Sequence, residues 1–248
     1  MIKLLTTLLL GYAALVLLLY LLQRTMLYFP TPAMPGDNVQ TLDGDFQIVV
    51  VDGQDESHAV VYFGGNAESV GDSSVTMQRF FGQSSQYYLN YPGYGGSAGS
   101  PSEASLYSAA SVLLEHVLQR HEHITVVGRS LGSGVATYIA ANYPVANLVL
   151  ITPYDSIVAV AATHYPIFPV RWLVKDRYDS LSRAEKITAN TLFLVAAHDR
   201  IIPPKHSENL YRAWDQRKAR YATIKNADHN DIHLHPEFAF ELSRFLQP

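Results

Sequence analysis

Two hydrophobic patterns divide the chain. Residues 4–22 form an uncharged run of 19, of which 11 are Leu, between Lys3 and Arg24. At about 1.5 Å per residue this run spans roughly 28 Å as a helix, the thickness of a hydrocarbon core. Thr6, Thr7, Gly11, Tyr12 and Tyr20 do not line up as the polar stripe of a surface helix. A cleaved signal peptide has a shorter apolar run and a small-x-small site soon after it. Here QRTMLY follows at 23–28, and Thr31-Pro32-Ala33 is remote and proline-flanked. The pattern predicts an uncleaved transmembrane anchor over 1–24, then a proline-rich polar neck over 25–43.

The second pattern, over 44–248, alternates short apolar runs with helical spacing. Strands are expected at 46–52, 59–63, 86–91, 124–127, 147–151, 191–196 and 221–224, with 53–57 as a turn. Helices are expected at 103–120, 131–142, 205–214 and 236–246, the first capped by Ser102. This alternation predicts an α/β domain built on a mostly parallel, doubly wound sheet. Residues 155–182, rich in Pro, aromatics and Arg, break the rhythm. They read either as a functional, lid-like insertion or as a helical hairpin covering a sheet edge.

Composition narrows the function classes. The 248 residues, 48% hydrophobic and 16% charged, suit one folded domain rather than a disordered chain. A net charge of −4 offers no basic surplus for nucleic acid. The absence of Cys removes disulfides, thiolate zinc sites, thiol nucleophiles and iron–sulfur clusters. Lys3 and the α-amino group lie before the anchor; Arg24, then Asp37, Asp43 and Asp45, lie after it. The positive-inside rule thus predicts a single-pass membrane protein with its domain on the non-cytoplasmic, periplasmic side. Arg171, Lys175, Arg177 and Arg183 form a basic cluster in the insertion, suited to a solvated face or to anionic headgroups.

The chemistry gathers after strand ends. Gly128-Arg129-Ser130-Leu131-Gly132 follows the strand at 124–127 and opens the helix at 131. G-x-S-x-G in that context is a nucleophile elbow, which lifts the Ser130 hydroxyl above the sheet. A hydroxyl needs a base, and the base an orienting acid. Asp199 follows the strand at 191–196 and His229 the strand at 221–224, giving the order serine, acid, histidine. Asp155, after 147–151, is the runner-up acid. Asp228 is expected to point elsewhere or to cap a turn, Asp231 to cap the last helix, and His198, His233 and His235 to be structural or surface residues. For the oxyanion, Leu131 supplies one backbone N–H, and Gly64-Gly65-Asn66 places Asn66 as the second donor. The glycine-rich turn at 93–99 lacks the helix and acidic partner of a dinucleotide site. No histidine set has metal-ligand spacing, so no metal and no cofactor are expected.

Several motifs together resemble a known family. They are Gly64-Gly65-Asn66-Ala67-Glu68, Tyr91-Pro92-Gly93-Tyr94-Gly95-Gly96-Ser97 with Pro101-Ser102-Glu103, and Gly128-Arg129-Ser130-Leu131-Gly132-Ser133-Gly134. Thr152-Pro153-Tyr154-Asp155-Ser156, Pro169-Val170-Arg171, Lys175-Asp176-Arg177-Tyr178-Asp179-Ser180 and His229-Asn230-Asp231 continue the match, as do Gln23-Arg24 and Leu27-Tyr28-Phe29-Pro30 behind the anchor. This set resembles the α/β-hydrolase superfamily, in the membrane-anchored branch of abhydrolase-domain depalmitoylases, bud-emergence-type homologues and bacterial members. Relatives often carry His where Gly64 stands. The resemblance implies an α/β-hydrolase fold with a short lid and the triad Ser130, Asp199 and His229. The expected function is a membrane-anchored serine hydrolase cleaving esters or thioesters, with small-molecule, lipid or acyl-protein substrates and membrane lipid as partners. Tyr94, Tyr165, Phe168 and Trp172 are the expected substrate contacts. A serine peptidase or amidase, or a non-catalytic binding module on the same fold, are the alternatives.

Overall fold

The computed structural model describes residues 1–33, 36, 38–43 and 45–247. Helix α1 (Ile2–Leu27) contains no buried residue. Among the described residues the strands are β1 (Val39–Leu42), β2 (Phe46–Val51), β3 (Asp55–Phe63), β4 (Ser84–Leu89), β5 (His123–Arg129), β6 (Asn147–Ile151), β7 (Asn190–Ala196) and β8 (Ala219–Ile224). The helices after α1 are α2 (Val70–Met77), α3 (Glu103–Leu118), α4 (Leu131–Asn142), α5 (Ile157–His164), α6 (Val170–Leu173), α7 (Pro204–Arg212) and α8 (Pro236–Leu246).

The strands form one sheet in the order β1-β2-β4-β3-β5-β6-β7-β8. The pairs β1–β2 and β2–β4 are antiparallel, and the rest of the ladder is parallel. A parallel sheet is covered on both faces, so its strands read as continuous apolar runs. Val126 and Val127 of β5 are both fully buried, one on each side. The side of Val126 packs against α3, α4 and α7 through Leu113, Val135 and Leu210. The side of Val127 packs against α2 and α8 through Met77 and Phe238. The α/β class and the parallel, doubly wound sheet expected from the sequence are present. Ser102 caps α3 in a reciprocal capping box with Ser105.

The differences are local. Strand β3 begins at Asp55, inside the expected turn, because Asp55 still pairs with Ser84 and His58 with His123. The polar residues 55–58 form its less buried end, so apolar patterning does not mark them. Helix α2 buries only Val70, Ser74 and Met77, too weak a stripe to read. Strand β1 lies within the expected neck and buries only Leu42. The neck is also bonded into the domain: Tyr28 is buried, and Gly95 N donates to Thr31 O at 2.9 Å. Asp231 does not cap α8; its Oδ1 accepts from Asp228 N at 2.7 Å, while His235 stands at the cap.

The insertion runs along α1. Tyr12 OH donates to Ile167 O at 2.8 Å, and the Tyr12 and Phe168 rings stack at 5.9 Å. Near the other end of α1, Gln23 bonds Leu173 O and Lys175 N, the Lys175 ammonium lies over the Tyr20 ring, and Arg24 forks onto Asp176. Between helix and insertion lies an apolar cavity of about 180 Å³, walled by Leu19, Met26 and Leu27 on one side and Ile157, Ala161 and Phe168 on the other.

Candidate active site

Ser130 joins β5 to α4 with φ +52° and ψ −120°, a left-handed conformation for a residue with a Cβ. Its N–H donates to Ile151 O at 2.9 Å, and its carbonyl accepts from Ser133 Oγ at 2.7 Å. Two glycines make so sharp a turn feasible. A Cβ on Gly132 would lie 2.0 Å from Phe63 O, and one on Gly128 would lie 2.4 Å from Gly132 O. The elbow thus presses strand and helix together and turns the serine toward the carboxyl ends of the strands, where parallel sheets build their sites.

The other two polar members meet it there. His229, in the loop after β8, places Nε2 2.9 Å from Ser130 Oγ and Nδ1 2.7 Å from Asp199 Oδ2. Asp199, after β7, accepts the N–H groups of Ile201 and Ile202 on its other oxygen at 2.9 and 2.7 Å. Those donors fix the carboxylate and leave Oδ2 for the imidazole. A carboxylate only accepts, so the imidazole proton sits on Nδ1 and Nε2 is free to accept from the serine hydroxyl. Ser130, Asp199 and His229 are all buried. Asp155, the runner-up acid, lies elsewhere: its Oδ1 is 2.9 Å from His206 Nδ1, and His206 Nε2 reaches Thr163 Oγ1 at 3.1 Å. That chain pins α5 to α7.

The loop after β3 borders the serine, since a Cβ on Gly65 would lie 3.6 Å from Ser130 Cβ. Among the described residues, neither Asn66 N–H nor Leu131 N–H has a protein acceptor. The backbone carbonyl and the side-chain NH2 of Asn66 are both engaged. Its carbonyl accepts from Phe29 N at 3.1 Å and from Tyr94 OH at 2.7 Å, and its side-chain amide donates to Leu27 O at 3.1 Å. The segment behind α1 therefore holds this loop from outside. Gly64 gives its carbonyl to Tyr91 OH at 2.9 Å.

The four expected substrate contacts separate. Tyr165 and Phe168 line the cavity beside α1. Tyr94 is buried at 1% exposure, and its hydroxyl bridges Asn66 O and Phe29 N. That makes it a brace of the loop rather than a pocket wall. Trp172 is 87% exposed and does not line the cavity.

A pair that the sequence reading passed over ties the two halves of the site together. Arg129, the variable residue before Ser130, donates to Glu68 Oε2 at 2.8 Å. Its other nitrogen reaches His229 O at 3.3 Å and Asn230 Oδ1 at 3.4 Å. Glu68 also accepts from Gly65 N and Tyr62 OH, each at 2.7 Å, and from Ser73 Oγ. Burial opposes the Glu68 charge, but Arg129 and these donors outweigh it and hold the carboxyl below the usual glutamate value. Burial likewise opposes the Arg129 charge, and Glu68 outweighs it, raising the guanidinium. The one available signal was the proximity of each residue to a motif glycine or serine.

Residues 42–242 match the family described as serine hydrolase (FSH1). An uncharacterized protein of Mycobacterium tuberculosis is 32% identical over 235 residues, 86% of this chain and 82% of its own length. Human alpha/beta hydrolase domain-containing protein 17B is 27% identical over 200 residues, 76% of this chain and 66% of its own. Among solved structures, the monoacylglycerol lipase of Paleococcus ferrophilus superposes with a TM-score of 0.62 at 22% identity, covering 81% of this chain and 96% of that one. An alpha/beta hydrolase enzyme from a Medee basin deep-sea metagenome library gives 0.67 at 16% identity, covering 85% and 98%.

Proposed function

The chain belongs to the serine hydrolase (FSH1) family, and on that premise we propose that it is a membrane-anchored enzyme cleaving carboxylic ester or thioester bonds of acyl substrates. The observation that carries the reading is the unbroken chain from Ser130 Oγ through His229 to Asp199 on a strained elbow. Ser130 Oγ attacks the acyl carbon while His229 Nε2 takes its proton. The tetrahedral oxyanion is held by the N–H groups of Leu131 and Asn66. Collapse breaks the bond to the alcohol or thiol, which leaves with the proton returned by His229. Water, deprotonated by the same imidazole, then attacks the acyl-enzyme and releases the acid and Ser130. Asp199 keeps the imidazole oriented and stabilises its charged form.

The name of one structural neighbour, a monoacylglycerol lipase, is in keeping with a lipid ester. The anchor reading rests on the length and apolarity of α1 and on its far end being bonded into the domain. The segment from Arg24 to Thr31 supplies partners to Asp176, Asn66 and Gly95, an odd use of a disposable leader. With Lys3 read as lying on the cytoplasmic side of the helix, the domain is on the periplasmic side.

A fluorophosphonate probe tests the chemistry on the full chain in detergent. Labelling is expected at Ser130, mapped by peptide, and is expected to vanish in Ser130→Ala and His229→Ala. A folded wild-type protein that takes no label would overturn the reading.

A further inference from the structure

The contacts between α1 and the insertion run in register over most of one leaflet. Asp176 is level with Arg24, and Ile167 and Phe168 are level with Tyr12. Twelve helical residues separate those levels, about 18 Å at about 1.5 Å per residue. Because 4–22 is the run that matches a hydrocarbon core, the tip of the insertion lies beside the middle of that run. Ile167 is exposed there, and Trp172 is exposed nearer the other end, beside Leu173 whose carbonyl meets Gln23, as suits side chains that face lipid. Over residues 165–174 the single charged side chain is Arg171, long enough to carry its head toward the interface. Charges gather at the opposite end, where Arg24, Asp176 and Lys175 meet.

The apolar cavity lies between these two surfaces, so one wall is the membrane helix itself. Its inner end is Leu27, whose carbonyl accepts from the side chain of Asn66. The cavity thus begins within the apolar layer and ends one hydrogen bond from the loop that carries the proposed oxyanion donor. A polar ligand would have few partners along it, since the amide of Gln23 and the carboxylate of Asp176 already bond Lys175 N, Leu173 O, Arg24 and Glu103 N, which leaves the hydroxyls of Tyr20 and Tyr165 as the other polar side-chain groups of its lining.

We propose that this cavity is the acyl-chain site, that its occupant is the alkyl chain of an ester resident in the bilayer, and that the anchor helix is a working wall of it. The proposal rests on the acyl-hydrolase reading above. The chain enters sideways from the leaflet between α1 and the insertion, and its carbonyl end is delivered toward Ser130.

The test fills the cavity from each wall in the full chain, reconstituted in phosphatidylcholine nanodiscs. Leu19→Trp narrows it from the helix and Ala161→Trp from α5, while Leu9→Trp, on α1 outside the cavity, is the control. The readout is the kcat/KM ratio for p-nitrophenyl decanoate over p-nitrophenyl acetate. Both filling variants are expected to lower that ratio about tenfold or more, with acetate hydrolysis still measurable and the ratio of the control unchanged. Acetate turnover reports that each variant has folded. Normal acetate hydrolysis with an unchanged ratio in both variants would overturn the cavity assignment and leave the serine hydrolase reading standing. Failure of wild-type protein to hydrolyse either ester or to label at Ser130 would overturn both.

Discussion

At the scale of single residues, the site depends on groups with no freedom left. Asp199 spends one oxygen on two backbone N–H groups and the other on His229. Asp199→Asn keeps the shape but offers the imidazole a donor, which favours the wrong tautomer. The equivalent change in a well-studied triad costs about 10⁴ in kcat, and a loss of that order is expected here in an ester assay, with little change in KM. Gly132→Ala is expected to act on stability instead. Its Cβ would lie 2.0 Å from a backbone oxygen, so strand and helix must part, at a cost of about 3 kcal/mol or more in urea unfolding. Much of this was legible in the sequence, because the elbow is local and serine, acid and histidine each follow a strand in a fixed order. Glu68 and Arg129 were not, because their pairing spans 61 positions and leaves no periodic trace. Tyr94 shows the opposite failure. An aromatic ring beside a glycine turn suggests a pocket, yet its hydroxyl is committed to Asn66 O.

At the scale of elements, the joint between α1 and the domain sets the behaviour of the insertion. Asp176 is almost wholly buried and accepts from Arg24 twice and from Glu103 N once. Asp176→Ala strands those donors, and a loss on the order of 1–3 kcal/mol is expected by denaturant titration in detergent. Protease cutting within 165–175 should rise in the same variant as the insertion loosens from the helix. Central strands and long helices were readable because burial on both faces writes continuous apolar runs. Strand β1, helix α2 and the start of β3 were not, because their pairing or packing is supplied by neighbours rather than by their own pattern. The contacts of the neck were hidden for a related reason. Pro and polar residues carry no apolar pattern, while the backbone there is hydrogen-bonded to loops distant in sequence.

At the scale of the molecule, the buried charges predict how stability follows pH. Glu68 and Asp155 both sit below their usual values: burial opposes each charge, but Arg129 and the surrounding donors outweigh it at Glu68, and His206 with the Ser156 N–H and Asn209 does so at Asp155. Their contribution is complete above the ordinary carboxylate range and is lost as pH falls through their depressed values. His116 and His233 are also lowered, chiefly by burial, so the unfolded chain takes up protons first as pH drops through the usual histidine value. All four act in one direction. The urea midpoint is expected to decline gently from pH 7 to 5 and steeply below about 4, and a midpoint that rises toward acid would contradict this. The stiff joint behind α1 has one more consequence. A spanning helix answers a thinner or thicker bilayer by changing its tilt. Through Arg24–Asp176 and Leu27–Asn66, the proposed anchoring would pass that tilt to the whole domain, making membrane thickness a mechanical setting for the angle at which the serine faces the lipid surface.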